Sequence, residues 1–267
     1  MSSLRVTPYQ YDIEWNNKDY NLTKVESLLI QLKDQTDLVV LPETFSTGFS
    51  IDNANQLAET INDKTITTLL EWAKSYNIAI AGSFICRDSD TSEIFNRAFF
   101  ITPDQHTYYY DKRHLFRMGG ESDVFTNGNQ NLIVSYKGFN ICLLICYDLR
   151  FPVWSRNVNN QYDLLIYVAN WPEARIEVWK KLLYARAIEN MSYVIGVNRI
   201  GTDANELVHS GNTLVIDSKG NDISTYPENR EHHDTLLLSK DNLTPFRQKF
   251  PVYKDSDTFK IDTNNTI

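Results

Sequence analysis

The stretch Phe139-Asn140-Ile141-Cys142-Leu143-Leu144-Ile145-Cys146-Tyr147-Asp148-Leu149-Arg150-Phe151-Pro152 runs an apolar strand straight into a cysteine and then into a polar turn. With a period of two, Ile141, Leu143 and Ile145 share one face and Cys142, Leu144 and Cys146 the other. Both faces are apolar, as in a sheet covered on both sides. Cys146 therefore stands at a strand end, where a sheet opens onto solvent. Asp148 reads as the cap of a short helix starting near Leu149, which would aim backbone N–H groups and a helix N-terminus at the sulfur. Such surroundings lower a thiol pKa and leave donors ready for a developing oxyanion. The competing reading is a core-filling cysteine, because free cysteine is among the most buried residue types.

Outward from this strand, the chain has the composition of an ordinary globular protein. Its 267 residues are 42% hydrophobic and 22% charged, enough for a large core in one α/β unit. The net charge of −8 lacks the basic footprint that nucleic acid demands. The three cysteines, Cys86, Cys142 and Cys146, are odd in number and lie in apolar strands, which implies a reducing compartment rather than a disulfide framework. No apolar run is long enough for a membrane span and no signal peptide is visible, so a cytoplasmic, soluble protein is expected.

Upstream, residues 4–10 read as a strand that Pro8 pushes toward an edge or a bulge. Asn21 reads as the N-cap of a helix with Leu22, Val25, Leu28, Leu29 and Leu32 at helical spacing. A strand at 37–41, a helix marked by Ile66, Leu69, Leu70 and Ala73, and a strand at 77–84 complete a βαβαβ order. Strand-like runs follow at 94–101, 107–110 and 131–136, and Lys137-Gly138 turns the last of these into the central strand. Beyond it, 163–169 is a second continuous apolar strand. Asn170 reads as the N-cap, and Pro172 as the start, of a helix reaching Asn190 that buries Ile176, Trp179, Leu183 and Ala187. Strands at 193–198, 210–217 and 235–239 close the list. Residues 1–267 read as one domain, with a tail over 241–267 that crosses a surface or a partner subunit.

Three reactive residues fall at strand mouths: Glu43 after residues 39–42, Lys112 after 108–111, and Cys146. In an α/β sheet such ends can converge on one crevice. A thiol is nucleophilic only as thiolate, so a nearby carboxylate to take its proton and a cation to stabilise charge make chemical sense beside it. Taken singly, each has a plain alternative: a loop carboxylate, a surface lysine and a core cysteine.

Leu41-Pro42-Glu43, Asp111-Lys112-Arg113-His114-Leu115-Phe116 and Cys146-Tyr147-Asp148-Leu149-Arg150-Phe151-Pro152 resemble, in order and separation, the carbon-nitrogen hydrolases of the nitrilase superfamily. The resemblance implies a four-layer α-β-β-α sandwich with Glu43 as general base and acid, Lys112 as oxyanion stabiliser and Cys146 as nucleophile. Glu121 matches a second glutamate that positions substrate. The residues after the nucleophile, together with Tyr167-Val168-Ala169-Asn170-Trp171-Pro172, look like the ω-amidase group. That group implies hydrolysis of short ω-amidodicarboxylates such as 2-oxoglutaramate and 2-oxosuccinamate, by a homodimer, with no cofactor and no metal. The alternatives are another amide hydrolase on this scaffold, acting on an N-carbamoyl or deaminated-peptide amide, or a non-catalytic binding protein.

A substrate carboxylate should meet a cation, for which Arg113, Arg117 and Arg175 are candidates. Phe45, Phe116, Tyr147 and Trp171 are candidate walls, and the Tyr147 backbone N–H a second oxyanion donor. Asp148 and Arg150 read as residues that pin the turn. His114 reads as a loop hydrogen-bonder rather than a base, and Cys142 as packing.

Overall fold

The computed structural model describes residues 2–263. In chain order its elements are β1 (Ser3–Gln10), α1 (Lys18–Leu32), β2 (Leu38–Val40), α2 (Ala54–Leu57), α3 (Lys64–Tyr76), β3 (Ala79–Arg87), β4 (Ile94–Ile101) and β5 (Thr107–Asp111). There follow β6 (Ile133–Tyr136), β7 (Phe139–Ile145), β8 (Leu164–Ala169), α4 (Ile176–Asn190) and β9 (Tyr193–Asn198). The chain continues with β10 (Ile200–Thr202), β11 (Val208–Ser210), β12 (Leu214–Ile216), β13 (His232–His233), β14 (Leu236–Ser239) and α5 (Lys240–Lys249).

Two sheets form the centre. The first has the order β13-β1-β2-β3-β4-β5, with β14 also on β1, and the second β12-β9-β8-β7-β6. Each has three parallel strands in its middle, β1-β2-β3 and β7-β8-β9, extended by antiparallel neighbours. Strand alternation sorts the core into layers. Val39, Leu41, Ile80 and Phe99 of the first sheet pack against Val25 and Leu29 of α1 and Leu69 and Ala73 of α3. Val6, Val40, Ala81 and Phe100 point the other way and join Ile141, Leu143 and Ile166 of the second sheet. The second sheet in turn packs on Trp179, Leu183 and Ala187 of α4. The result is the four-layer α-β-β-α sandwich. A Cβ on Gly196 of β9 would stand 2.4 Å from Leu183 and 2.7 Å from Trp179, so glycine there lets α4 lie close to the sheet.

Several local expectations are corrected. Pro8 lies inside the sheet rather than at its edge. It pairs with Val40 of β2, and its other side falls in the gap between β14, which ends at Val6↔Leu236, and β13, which begins at Tyr9↔His233. The missing N–H is tolerated because the antiparallel ladder is already broken at that point. Helix α1 begins at Lys18, capped by the Asn17 side chain. Asn21 is buried and exchanges hydrogen bonds with Glu14, and it donates to Ser46 O.

The tail carries a helix that the sequence reading did not place. Residues 240–249 form α5 over the chain's own surface, where Arg247 donates to Met191 O, Tyr162 O and Asp163 Oδ1 and Leu243 is buried. Residues 264–267 of the expected tail lie outside the described residues. Among the described residues no helix is long and apolar enough to cross a membrane.

Asp37 ties the two sheets together. Its carboxylate accepts from Arg5 of β1 and from Lys137 in the β6–β7 hairpin, and Tyr136 OH donates to its carbonyl. Burial works against the charge, but the Arg5 and Lys137 hydrogen bonds prevail and hold the carboxyl at about 2, down from 3.8. A depressed carboxyl stabilises the fold above its unfolded pKa and loses that contribution as pH falls through the native one. Both cations are partly exposed, which limits the effect to about 1 kcal/mol or less. Asp37→Asn should therefore lower the urea midpoint at neutral pH, and the gap from wild type should close between pH 4 and pH 2.

Candidate active site

Strand β7 ends at Ile145, and Cys146 opens a 3-10 turn over Cys146–Arg150 with φ at +42°. A non-glycine residue in the left-handed region is strained and needs its surroundings to hold it there. Asp148 supplies that hold from inside the turn, not as the cap of a later helix. Its buried carboxylate accepts the Ile145 N–H at 3.1 Å and Tyr110 OH at 2.8 Å through Oδ2, and the His114 N–H and Nδ1 at 3.0 and 2.8 Å through Oδ1. The His114 ring stacks on Phe151 at 3.7 Å. One carboxylate thus fixes both the nucleophile turn and the loop that follows Lys112. Asp148→Ala would leave two backbone N–H groups and the O–H donor of Tyr110 without an acceptor. We expect a loss on the order of 3 kcal/mol, read as a lower denaturation midpoint.

Glu43, Lys112 and Cys146 come together on one cavity of about 530 Å³. Lys112 Nζ is 2.9 Å from Glu43 Oε1 and 2.9 Å from both oxygens of Glu121, and all three side chains are buried. Burial alone would lower the Lys112 pKa, but the charges of Glu121 and Glu43 reverse this and raise it, so the ammonium is firmly protonated. Burial, and after Lys112 the charge of Glu43, bear on Glu121, whose carboxyl lies above its usual value. For Cys146 burial is again the main influence, reinforced by the Glu43 charge and only partly opposed by Lys112. The thiol is held well above its ordinary value. The depressed thiol expected from a helix N-terminus is therefore corrected: burial and the Glu43 charge favour the protonated thiol of Cys146.

Of the remaining candidates, Phe116, Tyr147, Trp171 and Arg175 line the cavity. Glu121 lies behind Lys112, off the lining, where it also accepts the Phe116 N–H. Arg117 opens an exposed 3-10 turn and does not reach the lining, because its side chain points out to solvent. Arg113 is drawn away by Gly128 O and the Trp154 ring, and Phe45 packs edge-on to Phe99 in the α1/α3 layer. Arg150 does line the cavity, beside the turn it was expected to pin.

Two asparagines escaped the sequence reading. Asn96 of β4 donates to Glu43 Oε1 at 2.8 Å and to Glu121 Oε1 at 3.2 Å. Asn170, read as a helix cap, instead gives its backbone N–H to Glu43 Oε2 at 2.8 Å and its amide to Glu43 O at 2.6 Å. Helix α4 starts only at Ile176, after a 3-10 turn over Glu173–Arg175. A clue to Asn96 was present in its place on a strand among aromatics, where a polar side chain is buried only with partners. Among the described residues no group of three or more His, Cys, Asp or Glu is placed to hold a metal ion.

A cysteine on a strained strand-end turn, backed by a buried glutamate and lysine in a two-sheet sandwich, has the parts that covalent hydrolysis of an amide needs. Residues 5–240 match the carbon-nitrogen hydrolase family, and the chain belongs to it. Among its relatives, the omega-amidase YafV of Yersinia enterocolitica is 40% identical over 262 residues, spanning 98% of this chain and 100% of the relative. The 2-oxoglutaramate amidase of Bacillus subtilis is 33% identical over 215 residues, 79% of this chain and 82% of that protein. A CN-hydrolase superfamily protein from Xanthomonas campestris, solved with an arsenic adduct in its active site, superposes with a TM-score of 0.94. It is 39% identical, with 98% of this chain and 100% of that one covered.

Proposed function

We propose that the chain is an ω-amidase that hydrolyses the terminal amide of short ω-amidodicarboxylates, 2-oxoglutaramate and 2-oxosuccinamate, to the dicarboxylate and ammonia. The observation that carries this reading is a single cavity holding Cys146, Glu43 and Lys112 together with arginines suited to a carboxylate. Two relatives that span 98% of the chain are named omega-amidase, which supports the same reading. Free cysteines at all three positions fit the reducing, cytoplasmic setting taken here, and a homodimer is part of the same reading.

In the proposed cycle Cys146 Sγ attacks the amide carbon as its proton passes to Glu43. The oxyanion forms against Lys112 and the Tyr147 N–H, which as the second residue of the 3-10 turn has no partner within it. Protonated Glu43 then delivers its proton to the leaving nitrogen, and ammonia departs. A thioester remains on Cys146. Glu43, ionised again, takes a proton from water as that water attacks the thioester; the C–S bond then breaks, Glu43 returns the proton to Cys146 Sγ, and the dicarboxylate leaves. Asn96 and the Asn170 N–H fix both Glu43 oxygens throughout.

The test is ammonia release from 2-oxoglutaramate, glutamine, a nitrile and an N-carbamoyl amino acid, compared as kcat/KM. The highest value should fall on 2-oxoglutaramate. A preference for the N-carbamoyl substrate would move the assignment to another amide hydrolase of the family.

A further inference from the structure

Glu43 follows β2 of the first sheet, yet it is held from the second. Its Oε2 and its carbonyl oxygen both accept from Asn170, the first residue past β8. Asn170 Nδ2 also reaches Thr44 Oγ1 at 3.2 Å. Thr44 has φ at +43°, a strained conformation for a β-branched residue that outside contacts must maintain. Whatever fixes residues 170–171 therefore fixes the general base.

That hold comes from a residue outside the cavity lining. Asn198, the last residue of β9, pairs with Ala169, and its side chain bonds to the backbone just past the end of β8. Its Oδ1 accepts the Trp171 N–H at 2.7 Å and the Arg199 N–H at 3.0 Å, and its Nδ2 donates to Trp171 O at 3.0 Å and Gly211 O at 2.7 Å. Two N–H groups on one side and two carbonyls on the other are a pattern that an amide satisfies in full. The Asn198 N–H donates to Thr213 Oγ1 at 3.1 Å, and the Thr213 N–H to Gln10 Oε1 at 3.0 Å. Gln10 ends β1, so the bonds return to the sheet that carries Glu43, and every residue along them is buried.

Resting on the Cys146 and Glu43 roles of the proposed cycle, we infer that Asn198 is a positioning residue: through both backbone groups of Trp171 it sets the Asn170 N–H against Glu43 and so fixes the approach of Glu43 to Cys146. Without the Asn198 amide, residues 170–171 lose their tie to β9. Glu43 Oε2 then loses its fixed donor, and the carboxylate turns about the Lys112 and Asn96 contacts of its other oxygen. A misplaced general base slows the chemical step. It also leaves the thiol less perturbed. Burial is the first cause of the raised Cys146 pKa and the Glu43 charge the second, with Lys112 opposing and Glu121 adding, so a loosened Glu43 removes part of the rise.

The experiment compares wild type with Asn198→Ala, Thr213→Val and, as a control, Asn157→Ala. Asn157 is equally buried, and its partners Tyr162 and Asn190 belong neither to the cavity lining nor to the Asn198 bonds. For each protein, kcat and KM are measured by ammonia release from 2-oxoglutaramate. Iodoacetamide alkylation is followed on the peptide holding Cys146, below the melting midpoint of each variant. Asn198→Ala should lose about 100-fold in kcat while KM moves by less than about 3-fold. Its Cys146 should be alkylated roughly 3-fold faster at neutral pH, about tenfold more thiolate being offset by weaker nucleophilicity. Thr213→Val removes only the acceptor behind the Asn198 N–H and should lose about 10-fold in kcat, which carries the test if Asn198→Ala does not fold. Asn157→Ala should melt earlier with wild-type kcat and alkylation. A kcat equal to wild type, unchanged alkylation, or equal changes in Asn157→Ala would overturn the assignment. A change in KM alone would leave Asn198 as a support of the Trp171 wall only and overturn it as well. If wild type releases no ammonia from 2-oxoglutaramate, the ω-amidase reading fails and the alkylation rates alone decide the role of Asn198.

Discussion

Replacing Cys146 by alanine should cut amide turnover by at least about 10,000-fold, since it removes the thiol that the proposed cycle acylates. The fold should survive. The side chain is half-buried and only partly packed on the core, and the strained backbone is held by Asp148 rather than by sulfur. Steady-state kinetics beside a thermal melt check both halves of this expectation. The state of the thiol adds a sharper form of the test. Because burial and the Glu43 charge raise its pKa well above normal, iodoacetamide should alkylate Cys146 ever faster as pH climbs past 9, with no plateau near neutrality. A plateau below pH 7 would mean a resting thiolate, and the proton transfer to Glu43 would then be unnecessary.

Glu43→Gln should be nearly as damaging, at about 1,000-fold in kcat, the scale of a lost general acid–base group. The side chain keeps its shape, but its amide cannot take the thiol proton or activate water. One of its two polar atoms must also turn a donor toward either the Asn170 N–H or the Lys112 ammonium, each of which needs an acceptor. KM should move much less than kcat, since Glu43 meets the reacting atoms and not the distant carboxylate. Equal changes in the two constants would point instead to a collapsed site, which the Lys112–Glu121 pair should prevent. Stopped-flow detection of ammonia in the first turnover would separate slow acylation from slow hydrolysis of the thioester.

The parts of this molecule that could be read from its sequence are those fixed by neighbours along the chain. Strands β7 and β8 were legible because burial on both faces writes an unbroken apolar run. The order from β1 to β3 was legible because α1 and α3 repeat apolar residues at helical spacing. The three reactive residues stood out because each follows a strand-like run, and the motifs around them completed the pattern. What escaped was set by partners distant in the chain. Asn170 looked like a cap because a cap is local, yet its bonds go to Glu43, 127 residues away. Asn96 reaches Glu43 across 53 residues.

The thiol was misjudged for the same reason. A helix N-terminus can be guessed from adjacent residues, whereas burial within a sandwich and the approach of Glu43 cannot. Helix α5 escaped because it holds Pro245 and docks largely through the three hydrogen bonds of Arg247, with Leu243 its main apolar anchor. Arg117 and Arg175 were alike on paper, as loop arginines near aromatics. Only the fold turns one outward and sets the other on Phe116.

The covalent step is most directly tested by mixing the protein with 2-oxoglutaramate, quenching in acid within milliseconds, and weighing the intact chain and its peptides. The account predicts a transient mass increase equal to the acyl group without its ammonia, confined to the peptide that holds Cys146 and removable by hydroxylamine. Turnover with no adduct trapped at any quench time, or an adduct carried by another residue, would contradict it.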